Sequence, residues 1–239
     1  MTQFNTSQRI GDIVAIFPKG SEVFKKFNID FCCGGNRPLA EAIQEQGLDA
    51  DDVIKKLEEA YSQSKELAGE VDFLKMESGK LVEYIVNTHH AYLNRVLPEI
   101  GRLAAKVLRA HGSNHQELFR VHKLFNSLRT ELEEHLIKEE ELLFPLLKQY
   151  KEAASETILL NINTVMSETE DEHEGAGEIL KELRKITADY NVPADGCRTF
   201  ELMYTLLQEL EGDLFQHIHL ENNILFKRFE TAGNRVKMQ

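Results

Sequence analysis

Cysteine is scarce in this chain and odd in number, three among 239 residues. That count excludes the paired disulfide framework of a small secreted fold. Two of the three, Cys32 and Cys33, are adjacent, which suits reduced thiols in a reducing compartment. Proline, with five, and glycine, with 14, are also sparse, and several of them cluster at Pro18 with Gly20, Gly34-Gly35 with Pro38, and Pro193 with Gly196, where breaks between elements are wanted. No run approaches the ~18 uncharged apolar residues of a membrane-spanning helix. Met1-Thr2-Gln3-Phe4-Asn5-Thr6 has neither the basic nor the apolar region of a secretory signal, so a cytoplasmic location is expected. Basic residues are outnumbered, Lys plus Arg at 28 against Asp plus Glu at 40, for a net charge of -12. An acidic surface argues against nucleic acid and anionic membrane as partners.

What is present is a long helical pattern with an internal repeat. Glu134-His135-Leu136-Ile137-Lys138-Glu139-Glu140-Glu141-Leu142-Leu143-Phe144 returns 82 residues later as Gln216-His217-Ile218-His219-Leu220-Glu221-Asn222-Asn223-Ile224-Leu225-Phe226. Both copies read H-x-x-x-E-x-x-[LI]-L-F. A His and a Glu four apart share one face of a helix, about 5–6 Å apart at Cβ, and here that face is the apolar one.

Three segments are expected. Residues 1–62 read as short helices around a loop at Asn28 to Asn36, with Ile10, Val14, Phe17, Phe24, Phe27, Leu39, Ile43, Val53 and Leu57 on their apolar faces. Residues 63–77 read as a polar linker. Residues 78–231 carry four long amphipathic stretches whose apolar residues recur at steps of three and four, the core stripe of a bundle. The expected fold is therefore all-α, an antiparallel four-helix bundle with a small helical N-terminal domain. Ser113 with Gln116 and Asn114 with Glu117 read as capping boxes, and Pro98 or Pro145 as a kink or an early helix end.

Each of the four stripes holds one core His: His90, His135, His173 and His217. Two add a Glu one turn later, Glu139 and Glu221. His90 to His135 spans 45 residues and His173 to His217 spans 44, so an up-down bundle brings the six to similar depth. A lone His on an apolar stripe is more often a satisfied core residue than a ligand. A buried Glu is harder to explain, because an unpaired carboxylate costs several kcal/mol or takes up a proton, and no Lys or Arg occupies matching core positions. Imidazoles with carboxylates and no thiolate argue against structural zinc and suit iron or manganese. Two Glu able to bridge would make the site dinuclear.

His89 fits the same stripe within one step, and the 45/44 spacing favours His90 over it. His111, His115, His122 and His219 fall off the register and are expected at the surface or at helix ends. Glu131 and Glu172 are candidates for outer groups that orient a ligand, against a plain solvated face. The adjacent Cys pair in its glycine-bounded loop is expected to be exposed, able to hold a soft metal, exchange thiols or contact a partner. Cys197, in the loop before the fourth long helix, is expected to be structural.

Taken together, residues 78–231 resemble hemerythrin-like domains, and the whole chain resembles the iron-sulfur cluster repair di-iron proteins, the RIC family. The resemblance rests on Asp30-Phe31-Cys32-Cys33-Gly34-Gly35, on His135 to Glu140 followed by Leu143-Phe144-Pro145, on Glu172-His173-Glu174 with Gly177, and on His217 to Glu221 with Asn222-Asn223. It selects His90 in the first long helix. It implies two non-haem iron ions held by four His and two bridging Glu, and repair of iron-sulfur clusters damaged by nitric oxide or oxidative stress, with iron supply as the means. It also implies damaged iron-sulfur proteins as partners, a cytoplasmic setting and a homodimer. The competing readings are a sensor that binds oxygen or nitric oxide, and a di-iron nitric oxide reductase or peroxidase.

Overall fold

The computed structural model describes residues 3–64 and 71–230. Among them there is no β-strand, only an isolated bridge between Arg9 and Pro38, and the chain is all-α as expected. It gathers into two compact units, residues 1–81 with 215–239, and residues 82–214. In this grouping the end of the fourth long helix, from Phe215 on, falls with the N-terminal residues. Residues 65–70 of the expected linker, and residue 231, lie outside the described residues.

The first unit opens with α1 (Ile10–Ile16), α2 (Gly20–Lys26), α3 (Leu39–Gln46) and α4 (Ala50–Ser64). Ile10, Ile13, Val14, Phe17, Phe24, Leu39, Val53 and Leu57 are buried between them, and the rings of Phe4, Phe17 and Tyr61 meet at 5.3–5.9 Å. α3 stops at Gly47, whose φ of 64° is the left-handed cap conformation that glycine adopts freely. Asn28, at φ 54°, turns the chain out of α2 into the cysteine loop. In the same unit, Arg228 donates to the carbonyls of Met76 and Phe73 at 2.8 and 2.9 Å, tying the C-terminal helical turns to the approach to α5 (Ser78–Ile85).

The second unit holds α6 (Ala91–His111), α7 (Glu117–Lys138), α8 (Phe144–Glu152), α9 (Glu156–Ile186) and α10 (Arg198–Leu220) as far as Leu214. Leu97, Ile100, Phe125, Leu128, Ile162, Leu180, Leu207 and Leu210 are all fully buried, the stripe read from the three-four spacing. α6 runs through Pro98. Pro145 is the second residue of α8, directly after the segment Glu139–Leu143. The expected capping boxes do not form. α7 starts without a side-chain cap, and the Gln116 amide donates instead to the Gly112 carbonyl at 3.1 Å. Ser155 does cap α9, accepting from the Ile158 N–H at 3.2 Å. After α9, Ala188, Asp189 and Tyr190 form a left-handed turn. The Tyr190 hydroxyl donates to buried Glu211 at 2.6 Å, which also pairs with Arg184.

Among the described residues three helical paths widen for one turn into π-helix: Val86–His90 before α6, Glu139–Leu143 after α7, and Glu221–Leu225 after α10. A π-turn inserts a residue without ending the helix, so it shifts which side chain faces inward.

Candidate metal centre

His90 closes the first π-turn and Glu139 opens the second. His135 is one turn before Glu139 on α7, and His173 lies in the middle of α9. All four are at most 3% exposed. Glu139 Oε2 lies 3.3 Å from His90 Nε2 and 3.3 Å from His135 Nε2. His135 Nε2 lies 3.3 Å from His173 Nε2, with the two rings inclined at 62°. In the other unit His217 ends in the same relation to Glu221, Nε2 to Oε1 at 3.2 Å, and neither side chain is exposed at all.

The far nitrogens of the imidazoles fix the tautomers. His90 Nδ1 lies 2.8 Å from Glu140 Oε1, and His135 Nδ1 lies 2.8 Å from Glu172 Oε2. A carboxylate only accepts, so in each neutral ring Nδ1 carries the proton and Nε2 presents a lone pair. Those lone pairs converge on one carboxylate oxygen at 3.3 Å. Electron-rich atoms gathered this way in a dry interior fit a cation between them, with the outer carboxylates aiming the rings. Glu172 is held low, to about 2, first by its hydrogen bond to His135 and then by Lys138, whose ammonium is 2.6 Å away. His90 also stacks on Phe144 at 5.8 Å.

His89 goes elsewhere. It is 3% exposed, with Nδ1 3.0 Å from Asp213 and its ring edge-on to Tyr84. Glu131 is exposed on α7; the carboxylate at His90 is Glu140. His219 is a correction to its expected surface or helix-end position. It is 1% exposed, edge-on to Phe31 at 6.0 Å, and burial pushes its pKa down to about 4 although a hydrogen bond to the Phe31 backbone opposes this.

The cysteine loop is also less open than expected. Cys32 is 2% exposed and Cys33 half-buried, because Asn223 donates to the Cys32 carbonyl at 3.0 Å and covers the loop. Cys197 is exposed. Its Sγ is 3.3 Å from His111 Nε2, and backbone N–H groups at the start of α10, together with His111, lower its thiol to about 7. A thiol so placed has a chemical character beyond the structural role expected of it.

Residues 6–61 match a domain of unknown function, DUF542, and residues 81–229 match the hemerythrin HHE cation binding domain. The iron-sulfur cluster repair protein ScdA of Staphylococcus epidermidis is 31% identical over 220 residues, covering 92% of this chain and 96% of its own. The iron-sulfur cluster repair protein YtfE is 34% identical in Enterobacter sp. and 33% identical in Escherichia coli O81, each over 221 residues with the same coverage. With a hemerythrin cation-binding domain over more than half its length and repair proteins similar to it nearly end to end, this chain belongs to the iron-sulfur cluster repair protein family.

Proposed function

We propose that this protein repairs iron-sulfur clusters damaged by nitrosative or oxidative stress, in the cytoplasm, with two non-haem iron ions held by His90, His135, Glu139, His173, His217 and Glu221. Glu139 and Glu221 would supply the carboxylate ligands. The observation that carries this reading is Glu139, a fully buried carboxylate facing two imidazole nitrogens at 3.3 Å whose protons are held on the opposite side by Glu140 and Glu172. The repeated H-x-x-x-E, with His217 on α10 and Glu221 opening the π-turn after it, supplies the matching pair, and the relatives' names give the activity.

Imidazole and carboxylate together suit iron, and bound iron would supply one-electron chemistry and an exchangeable metal. The chain's own groups do the rest. Glu140 and Glu172 hold the rings in the tautomer that ligates. Phe144 keeps water from His90. Glu172, 43% exposed at its side chain and paired to Lys138, joins the buried ring of His135 to the solvent side. Damaged iron-sulfur proteins are the partners in this reading, with the chain acting as a homodimer.

The test is reactivation of an iron-sulfur enzyme damaged by nitric oxide, with iron-loaded protein as the only added iron. Recovery with the wild type and none with His135→Ala at equal protein supports the reading. Equal recovery with both removes the bundle from the activity.

A further inference from the structure

The loop between α2 and α3 gathers three donor atoms that the bundle does not use. Asp30 Oδ1 lies 3.2 Å from Cys32 Sγ, and the Cys32 and Cys33 sulfurs are 3.8 Å apart. One donor atom from each of the three residues lies within 4.8 Å of the others. A sulfur separation of 3.8 Å is far beyond the ~2.05 Å of a disulfide. It equals the edge that two thiolates span on one tetrahedral cation: metal–sulfur bonds of about 2.3 Å at the tetrahedral angle put the sulfurs about 3.8 Å apart. The same geometry with a metal–oxygen bond of about 2.1 Å asks for a sulfur–oxygen edge of about 3.6 Å, which a small rotation of Asp30 supplies.

The donors sit on a fixed frame. Asp30 Oδ1 accepts from the backbone N–H of Cys32 and of Gly34, both at 3.1 Å. The Gly11 N–H bonds to the Gly35 carbonyl at 2.8 Å. Asn223 holds the Cys32 carbonyl from the C-terminal side. A Cβ on Gly35 would come 2.6 Å from the Phe31 carbonyl and from the Asn223 side chain, so the loop closes this tightly only with glycine there. Cys32 forms the buried floor, and half-buried Asp30 and Cys33 leave the approach open.

We propose that Asp30, Cys32 and Cys33 form a second metal site, for one thiophilic divalent cation such as Fe(II) or Zn(II), with a fourth position open to water or an incoming thiol. Three protein ligands with one open position define a site that exchanges its metal rather than one that locks it for structure. Binding turns two thiols into thiolates and releases two protons to solvent, with no electron transferred. The hydrogen bond that the Cys32 thiol donates to Cys33, burial and the Asp30 charge hold that thiol well above its usual range, so the cation supplies the charge that lets Cys32 ionise. The proposal does not depend on the reading given to the His and Glu residues.

Cobalt(II) titration of the reduced, iron-loaded full chain tests it, in a Cys197→Ser background so that no other thiol can report. The expected result is one equivalent bound with the near-ultraviolet sulfur-to-cobalt charge-transfer band and the visible bands of four-coordinate cobalt. Cys33→Ser, at a half-buried position that tolerates the change, abolishes the charge-transfer band at one equivalent, and Asp30→Asn weakens binding by about tenfold or more while keeping it. His135→Ala, which lies in the other unit, leaves the band at full strength. No sulfur band in the Cys197→Ser protein, or a band that survives Cys33→Ser, overturns the proposal.

Discussion

At the scale of single residues, the buried carboxylates were the legible signal, because Glu at a core position has few explanations besides a cation. Glu140 was not legible. It stands in the run Lys138-Glu139-Glu140-Glu141, which reads as a solvated face, and only the turn of the backbone after Lys138 brings it to His90. His219 was missed for a related reason: it sits two residues from His217, off the stripe, and is buried by Phe31 of a distant loop. Two residue-scale predictions follow from the cysteine and glycine environments. Cys197, lowered to about 7, is a thiolate above that pH and should alkylate with half-maximal rate near pH 7. Cys32, raised and buried, should label only on unfolding; peptide mass spectrometry after timed iodoacetamide treatment reads both. Gly35→Ala should destabilise by about 1–3 kcal/mol, since its Cβ meets a backbone carbonyl that cannot step aside. Gly79→Ala meets nothing within 4 Å and should gain about 0.5–1 kcal/mol as a helix residue. Urea unfolding of the two variants checks the contrast, and equal midpoints would refute it.

At the scale of elements, the long helices were legible from their three-four spacing, and the loops from Gly and Pro. The three π-turns were not, because their signature is a shift of one residue in an otherwise unbroken pattern. The doubt between His89 and His90 was the trace of the first one: the widened turn Val86–His90 sends His90 toward Glu139 and His89 toward Asp213. The end of α9 shows a different kind of blind spot. Three successive left-handed residues without glycine are held by Glu211, which is 3% exposed at its side chain and accepts from Tyr190. Removing it strands buried partners, so Glu211→Ala should cost about 3–5 kcal/mol. Glu182→Ala, which breaks an exposed pair with Arg120, should cost far less, because solvent screens it. Thermal unfolding of the two variants decides, and comparable losses would show that the Glu211 cluster does not anchor the turn.

At the scale of the whole molecule, the sequence suggests a small helical N-terminal domain, a polar linker and a four-helix bundle. The residues after Leu214 instead group with the N-terminal helices: Phe31 packs on Phe215 and His219, and Asn223 holds the cysteine loop. No local pattern could reveal this, since it depends on contacts between residues some 190 positions apart. A chain lacking residues 1–70 should therefore melt below the full-length protein and load less iron, because the segment bearing His217 and Glu221 loses its cover. Calorimetry and metal analysis of the shortened chain check this, and unchanged values would show the cover to be dispensable. Removing the metal from the full chain should also lower its melting temperature, by mass action on the folded state. The central claim is that six residues hold two irons, and the direct measurement is iron per chain on freshly purified wild type, His135→Ala and Glu221→Ala. The account predicts about two irons in the wild type, the number that two His-x-x-x-Glu halves supply, and well under half of that in each variant. Equal iron in all three proteins would contradict it.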